Sequence, residues 1–271
     1  MNDRGHFSVS VLPADARVAI AWFHPAPRLS PLVECYWTLD VRDAAPARPA
    51  EVRALPDARV DLVFDLSQPA PRAWLAGPRQ SADCYRHTQP THLLGATLSP
   101  TALEPLFGLS PAQLSADWHA LESLLGELGR ELTAAVAALA TLDARLAFLD
   151  AFLAARLVNA HVDVRVRRAI VAVEGAGGDI DVGSLSARVR ASPRQLTRLF
   201  RDCMGMGPKR FGRIVRAQAA LRRLVQGNAP LADLAAELGF ADQAHLTREL
   251  RQLFGVAPAQ LARQIRPSET L

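Results

Sequence analysis

The stretch LADLAAELGFADQAHLTRELRQLFGVAP, residues 231–258, decides how this chain is read. Leu231, Leu234 and Leu238 recur at helical spacing, Gly239 and Phe240 break the pattern, and Asp242 stands where a helix N-cap accepts from free backbone N–H groups. Behind the cap, Leu246, Leu250 and Leu253 share one face of a second helix. The opposite face carries Ala244, Thr247, Arg248 and Arg251, with Gln243 and His245 beside it at the helix start. A short apolar helix, a tight turn and a second helix with a cationic outer face make the pattern of a helix-turn-helix.

The pattern is a repeat. Leu185 pairs with Leu234 and Val189 with Leu238 at a separation of 49 residues. After one extra residue the separation is 50: Leu196 matches Leu246, Arg198 matches Arg248, Gly205 matches Gly255, Pro208 matches Pro258, Phe211 matches Leu261 and Arg213 matches Arg263. A duplicated supersecondary unit explains such spacing. In the first copy Ser192, Pro193 and Gln195 form a capping-box start, so a helix is predicted to begin sharply at Ser192. Its apolar face is Leu196, Leu199, Phe200 and Cys203, which leaves Arg194, Thr197, Arg198 and Arg201 in line on the outside. Guanidinia in a row repel one another, but opposite phosphates and guanine edges they are well placed.

Between the copies, Lys209 to Gln226 lacks proline and carries Phe211, Ile214, Val215, Ala219 and Leu221 on one side, so it is predicted to be a helix. Eighteen residues at 1.5 Å each span about 27 Å, comparable with the roughly 34 Å between major-groove sites on one face of a duplex. The expected DNA contacts are Arg194, Gln195, Thr197, Arg198 and Arg201 from the first unit, and Gln243, Ala244, His245, Thr247, Arg248 and Arg251 from the second. Gln suits adenine, and the small Ala244 leaves room for a thymine methyl.

These motifs, over about residues 162–266, resemble the AraC/XylS regulators, which carry two helix-turn-helix units joined by a helix. The resemblance implies binding as an activator or repressor at promoters. Three positions depart from the common pattern: Ala244 stands for Ser, Leu246 for Phe and Leu261 for Tyr. They keep the core apolar and leave the base preference open. A second resemblance, carried by CYWTL at 35–39, LPDARVDLVFD at 55–65 and LGATLSP at 94–100, is to an uncharacterised N-terminal domain of a subgroup of these regulators. By analogy it is a small β-barrel-like sensor followed by helices.

Charge and composition agree. From His161 onward there are 18 Lys and Arg against 10 Asp and Glu, and before it 13 against 17, so the basic excess lies in the repeated part. Three distant cysteines, Cys35, Cys84 and Cys203, suit neither a disulfide framework nor a zinc finger. Cys84, His87 and His92 are too loosely spaced, and lack a fourth ligand, for a metal site. Met1 to Ser10 has no apolar run behind it, and no segment reaches the roughly 18 apolar residues of a membrane span. The expectation is a cytoplasmic regulator that is not an enzyme and uses no cofactor or metal.

Short β-branched runs separated by prolines predict strands at Val33 to Val41, Val60 to Leu66, Trp74 to Ala76 and Leu93 to Leu98, with loops at Asp43 to Pro49 and Gln68 to Arg72. Beyond Pro100 no strand signal appears. Leucines from Leu121 to Leu153 alternate steps of three and four, interrupted near Gly126 and Gly129, and serve either dimerisation or packing on the sheet. Glycines within Val173 to Asp179 separate a helix from about Val162 to Glu174 from the repeated units. Asp57, Asp61 and Asp65 are read as strand ends and turn makers. The fold class is therefore α+β: a β-rich sensor-like domain over 1–105, a helical linker or dimerisation region over 106–160 and an all-α DNA-binding domain over 161–271. Double-stranded promoter DNA is the partner, with a small-molecule effector, a second copy and, for an activator, RNA polymerase as further candidates. A convergent cavity in the β domain favours an effector; a filled barrel with an exposed apolar patch favours a protein partner.

Overall fold

The computed structural model describes residues 11–13, 16–114, 118–157, 163–226 and 230–265. The reading of Met1 to Ser10 and the helix start at Val162 lie outside the described residues. Strands β1 (Val11–Pro13), β2 (Val18–Phe23), β3 (Val33–Val41), β4 (Ala50–Ala54), β5 (Val60–Asp65), β6 (Arg72–Ala76), β7 (Asp83–His87), β8 (Thr91–Leu98) and β9 (Trp118–Ala120) form two antiparallel sheets. One has the order β2-β3-β8-β5-β6-β9 and the other β1-β4-β7.

Period-two alternation sorts each strand of the large sheet between two cores. Cys35, Trp37, Leu39 and Val63 face the small sheet, where Val52 and Ala50 meet them. Tyr36, Leu62, Phe64, Leu94, Ala96 and Leu98 face the other way, toward helices. Those helices are α1 (Leu103–Phe107), α2 (Leu121–Leu125), α3 (Glu127–Ala138) and α4 (Leu142–Leu157). The leucine run thus forms three helices, with Leu121, Leu132, Leu149 and Leu153 wholly buried against the sheet.

The expectation of no strand beyond Pro100 fails. β9 lies beyond Pro100 and pairs Trp118 to Ala120 with β6. Three half-buried residues give too short an alternation to be seen in sequence.

Large side chains enter the space between the sheets. Trp37 lies across Gly95, where an added Cβ would stand 2.1 Å from the indole. The Trp37 indole N–H donates to Thr97 Oγ1 (3.2 Å), and Thr97 donates to Asp61 Oδ1 (2.7 Å). Arg79 stands 3.9 Å from Asp61 Oδ2 and donates to the Tyr85 hydroxyl, which also accepts from Trp118. Asp61 is thus no turn maker: it is the buried end of a polar chain inside the sandwich. Asp57 and Asp65 do make turns, each accepting from the backbone N–H two residues on.

Burial, reinforced by the charge of Asp61, pushes the Asp57 carboxyl up to about 7, while Arg79 and the Arg59 N–H oppose the shift; Glu34 adds to it. Burial likewise raises Asp61 against Arg79 and Thr97. The folded chain then holds more protons than the unfolded one between about pH 4 and about pH 7, so stability falls as pH rises through that window. Asp57→Asn should flatten this fall, gaining on the parent from about pH 5 to about pH 8 in urea denaturation. Gly95→Ala should cost roughly 1–3 kcal/mol in the same assay, because the Trp37 indole must leave its place.

Candidate nucleic-acid interface

The C-terminal part is all helical: α5 (Val164–Gly175), α6 (Val182–Val189), α7 (Pro193–Met204), α8 (Pro208–Gln226), α9 (Leu231–Glu237), α10 (Gln243–Phe254) and α11 (Pro258–Ile265). In the first unit α6 is capped by Asp181, whose Oδ1 accepts the Ser184 N–H at 2.9 Å. α7 starts at the expected place. Ser192 Oγ accepts the Gln195 N–H (3.3 Å), and the Gln195 side-chain oxygen accepts the Ser192 N–H (2.9 Å), which closes the capping box. Leu196, Phe200 and Met204 are buried, and Leu199 and Cys203 sit at the edge of that core. Arg194, Arg198 and Arg201 are exposed on the outer face. Thr197 is half-buried, its hydroxyl donating to Pro193 O at 2.8 Å, and the carbonyl oxygen of the Gln195 side chain is committed to the cap.

The second unit repeats the construction. Asp242 Oδ1 accepts the His245 N–H at 2.6 Å and caps α10, whose Leu246, Leu250, Leu253 and Phe254 are buried. Gln243, Ala244, Arg248 and Arg251 are exposed, while Thr247 is half-buried. His245 is half-buried too: its ring meets Phe240 edge-on at 5.5 Å, and its Nδ1 accepts the Ala241 N–H. It braces the turn as well as standing near the outer face.

Two backbone positions explain why glycines recur at the repeat distance. Gly205 and Gly255 end α7 and α10 in the left-handed conformation, with φ of 67° and 74°. The turn inside each unit needs the same conformation, supplied by Gly239 (φ 70°) in the second and by Arg190 (φ 53°) in the first. For a residue with a Cβ this conformation is strained.

α8 joins the units, and three of its arginines pair with acids of the same domain. Arg213 makes a two-pronged pair with Glu249 (2.9 and 3.0 Å) and also donates to Gln252. Arg216 pairs with Asp179 at 3.3 Å and donates to Gly239 O, and Arg223 pairs with Glu237 at 2.8 Å. By contrast, none of Arg194, Arg198, Arg201, Arg248 and Arg251 has an ion pair among the described residues. Sequence reasoning missed this division, because it depends on acids brought in from 14 to 37 residues away. It also missed a groove of about 650 Å³ beside α5, where Arg167, Arg168 and Arg188 converge.

The β domain touches both second helices at their C-terminal ends. Ser110 Oγ donates to Asp202 O (2.8 Å) on α7, and the Ala82 N–H donates to Leu253 O (2.8 Å) on α10. The outer faces, which begin at the other ends, stay open. Elsewhere, Cys84 stands 4.0 Å from Glu51, His87 contacts Thr91 and His92 contacts Asp40, so these three have separate neighbours.

Two capped helix pairs on a shared connecting helix define a double helix-turn-helix domain of the DNA-binding class. Residues 185–264 match the family described as "Helix-turn-helix domain", and residues 22–118 match "Domain of unknown function (DUF6597)". Over residues 185–264 the chain therefore carries a helix-turn-helix domain of that description. It is similar to the HTH-type transcriptional regulator Rv1931c of Mycobacterium tuberculosis, 34% identical over 85 residues, covering 31% of this chain and 33% of that protein. It is also similar to the HTH-type transcriptional activator RhaS of Pectobacterium carotovorum, 33% identical over 86 residues, 32% of this chain and 31% of the other. The matched region spans about a third of the length of these relatives. Among solved structures, an AraC-type DNA-binding protein from Chromobacterium violaceum matches 38% of this chain and 94% of its own at 22% identity and TM-score 0.37. ToxT from Vibrio cholerae covers 96% of this chain and 98% of its own at 10% identity and TM-score 0.46. No helix among the described residues is long and apolar enough to cross a membrane.

Arg190→Gly should relieve the left-handed strain and stabilise the chain by up to about 1 kcal/mol, the gain being reduced by the greater backbone entropy of glycine. Thermal unfolding of the two proteins compares them directly.

Proposed function

We propose that the chain is a sequence-specific transcription regulator that binds promoter DNA through α7 and α10, under control of an effector bound at its N-terminal domain. One observation carries the reading: twice, at one spacing, a capped helix turns an exposed row of arginines without ion pairs outward, while Arg213, Arg216 and Arg223 of α8 pair with acids of the domain itself. Nineteen residues give α8 a length of about 28 Å. That is close to the roughly 34 Å that separates major-groove entries on one face of the duplex. The two second helices would then enter neighbouring turns of one groove.

Within this arrangement Arg198 and Arg248 are the candidates for guanine, Gln243 for adenine and Ala244 for a thymine methyl. Arg194, Arg201 and Arg251 would meet phosphates or base edges according to the depth of insertion, and Gln195, Thr197, His245 and Thr247 would act from the helix margins. The protein on this reading is a binding protein, with no chemistry of its own. A second copy and, for an activator, RNA polymerase are its further partners.

Arg198→Ala or Arg248→Ala should weaken binding to a DNA fragment selected from random sequence by about 1–3 kcal/mol, with a smaller loss on unselected DNA. Fluorescence anisotropy on both DNAs measures this. Equal losses on both would reassign the residue to phosphate contact, and no loss on either would remove it from the interface.

A further inference from the structure

A cleft of about 960 Å³ opens between the β domain and helices α5 and α8. Its volume is in the range of small-molecule sites. One wall comes from the segment before and into β3, with Leu32 and Glu34, and from Asp57 and Arg59; the other comes from α5 and α8, with Ile170, Glu174, Val215 and Arg222. Arg59 joins the walls, donating to Glu34 at 2.5 Å and to Glu174 at 2.8 Å.

Two polar groups that line the cleft are unspent. Asp57 is only 4% exposed, its Oδ1 accepts the Arg59 N–H, and its Oδ2 has no hydrogen-bond partner. A buried acceptor without a donor is costly to a fold unless a bound group completes it. Across the cleft, half-buried Arg222 makes no hydrogen bond or ion pair at contact distance with any described residue. Burial pulls its pKa down, against the pull of Glu34 and Glu174, while Arg59 adds to the lowering. A carboxylate beside Arg222 would offset that cost. Between these groups Leu32, Ile170 and Val215 offer apolar surface.

We propose that this cleft is the effector site and takes a small amphoteric molecule of the amino-acid or hydroxy-acid class, its carboxylate on Arg222 and its ammonium or hydroxyl donating to Asp57 Oδ2. This rests on the reading of the chain as a regulator. The ligand would bridge the β domain to α5 and α8, the helices against which the first unit packs, so its binding is coupled to how that unit is held.

The test uses the full chain with four probe sets: the common L-amino acids, the matching α-hydroxy acids, the matching decarboxylated amines, and the matching acids lacking the α substituent. Thermal-shift measurement followed by calorimetry should find an amino or hydroxy acid that binds. Its amine and its unsubstituted acid should each bind at least tenfold more weakly. Asp57→Asn and Arg222→Gln should each weaken binding by at least tenfold while melting as cooperatively as the parent without ligand. No binding from any set, binding by amines or unsubstituted acids as tight as by the two-ended probes, or binding unchanged in both variants would overturn the proposal. Selection of DNA by the full chain is measured alongside. Selected DNA with no ligand overturns the effector site alone, and a bound ligand with no DNA selection overturns the regulator reading alone.

Discussion

Both helix-turn-helix units lean on α8, and the arrangement of the whole C-terminal part depends on that helix being held on three sides. Phe211, Ile214, Ala217, Ala220 and Leu221 have no exposed surface. Phe211 stacks at a tilt on Phe200 of α7, with centroids 5.8 Å apart, which fixes the first unit. Arg213 and Glu249 fix the second. A third side meets the β domain, where Gln218 donates to Pro56 O and Leu55 and Ala58 enter the helical core. Losing a buried phenylalanine of this kind typically costs about 3–5 kcal/mol. α8 is therefore the reference against which both cationic faces are set.

The second consequence is electrostatic. A basic domain must keep some guanidinia unpaired to meet a polyanion, yet unpaired charges close together repel. The chain separates the two tasks. Arg213, Arg216 and Arg223 of α8 are matched with acids of neighbouring segments and serve as struts, while the arginines of α7 and α10 stand in water on the outside, where repulsion is screened. The β domain reaches the second helices at their C-terminal ends, through Ser110 and Ala82, and leaves the capped ends open. Any movement of that domain would act on both helices together.

Much of the helical part was legible because its signals are local. Ser192, Pro193 and Gln195 specify a helix start within four residues, and Gly205 and Gly255 specify helix ends by a backbone requirement that few other residues meet. β3 was equally plain, since seven of its nine residues are apolar or β-branched and lie buried between two cores. β4 and β7 were not. They form the middle and an edge of a small sheet, and DCYRH at 83–87 shows water much of its surface. β9 becomes a strand only because β6 offers it an edge. Asp61 was read as a strand-end or turn residue because its partners, Thr97 and Arg79, come from elsewhere in the chain. The outer rows of arginines were visible from periodicity alone, whereas the internal pairing of α8 and the cleft around Asp57 and Arg222 arise from long-range contacts that no spacing rule contains.

The most direct measurement is the spacing dependence of DNA binding. In a fragment selected by the protein, footprinting locates the two contacted segments, and five base pairs, about half a helical turn, are then inserted between them. A stiff connector predicts that one segment loses protection and affinity drops to that of a single unit, since the second groove now faces away. Unchanged affinity, with both segments still protected, would show that the two helices are not held in one frame and would contradict the role given to α8.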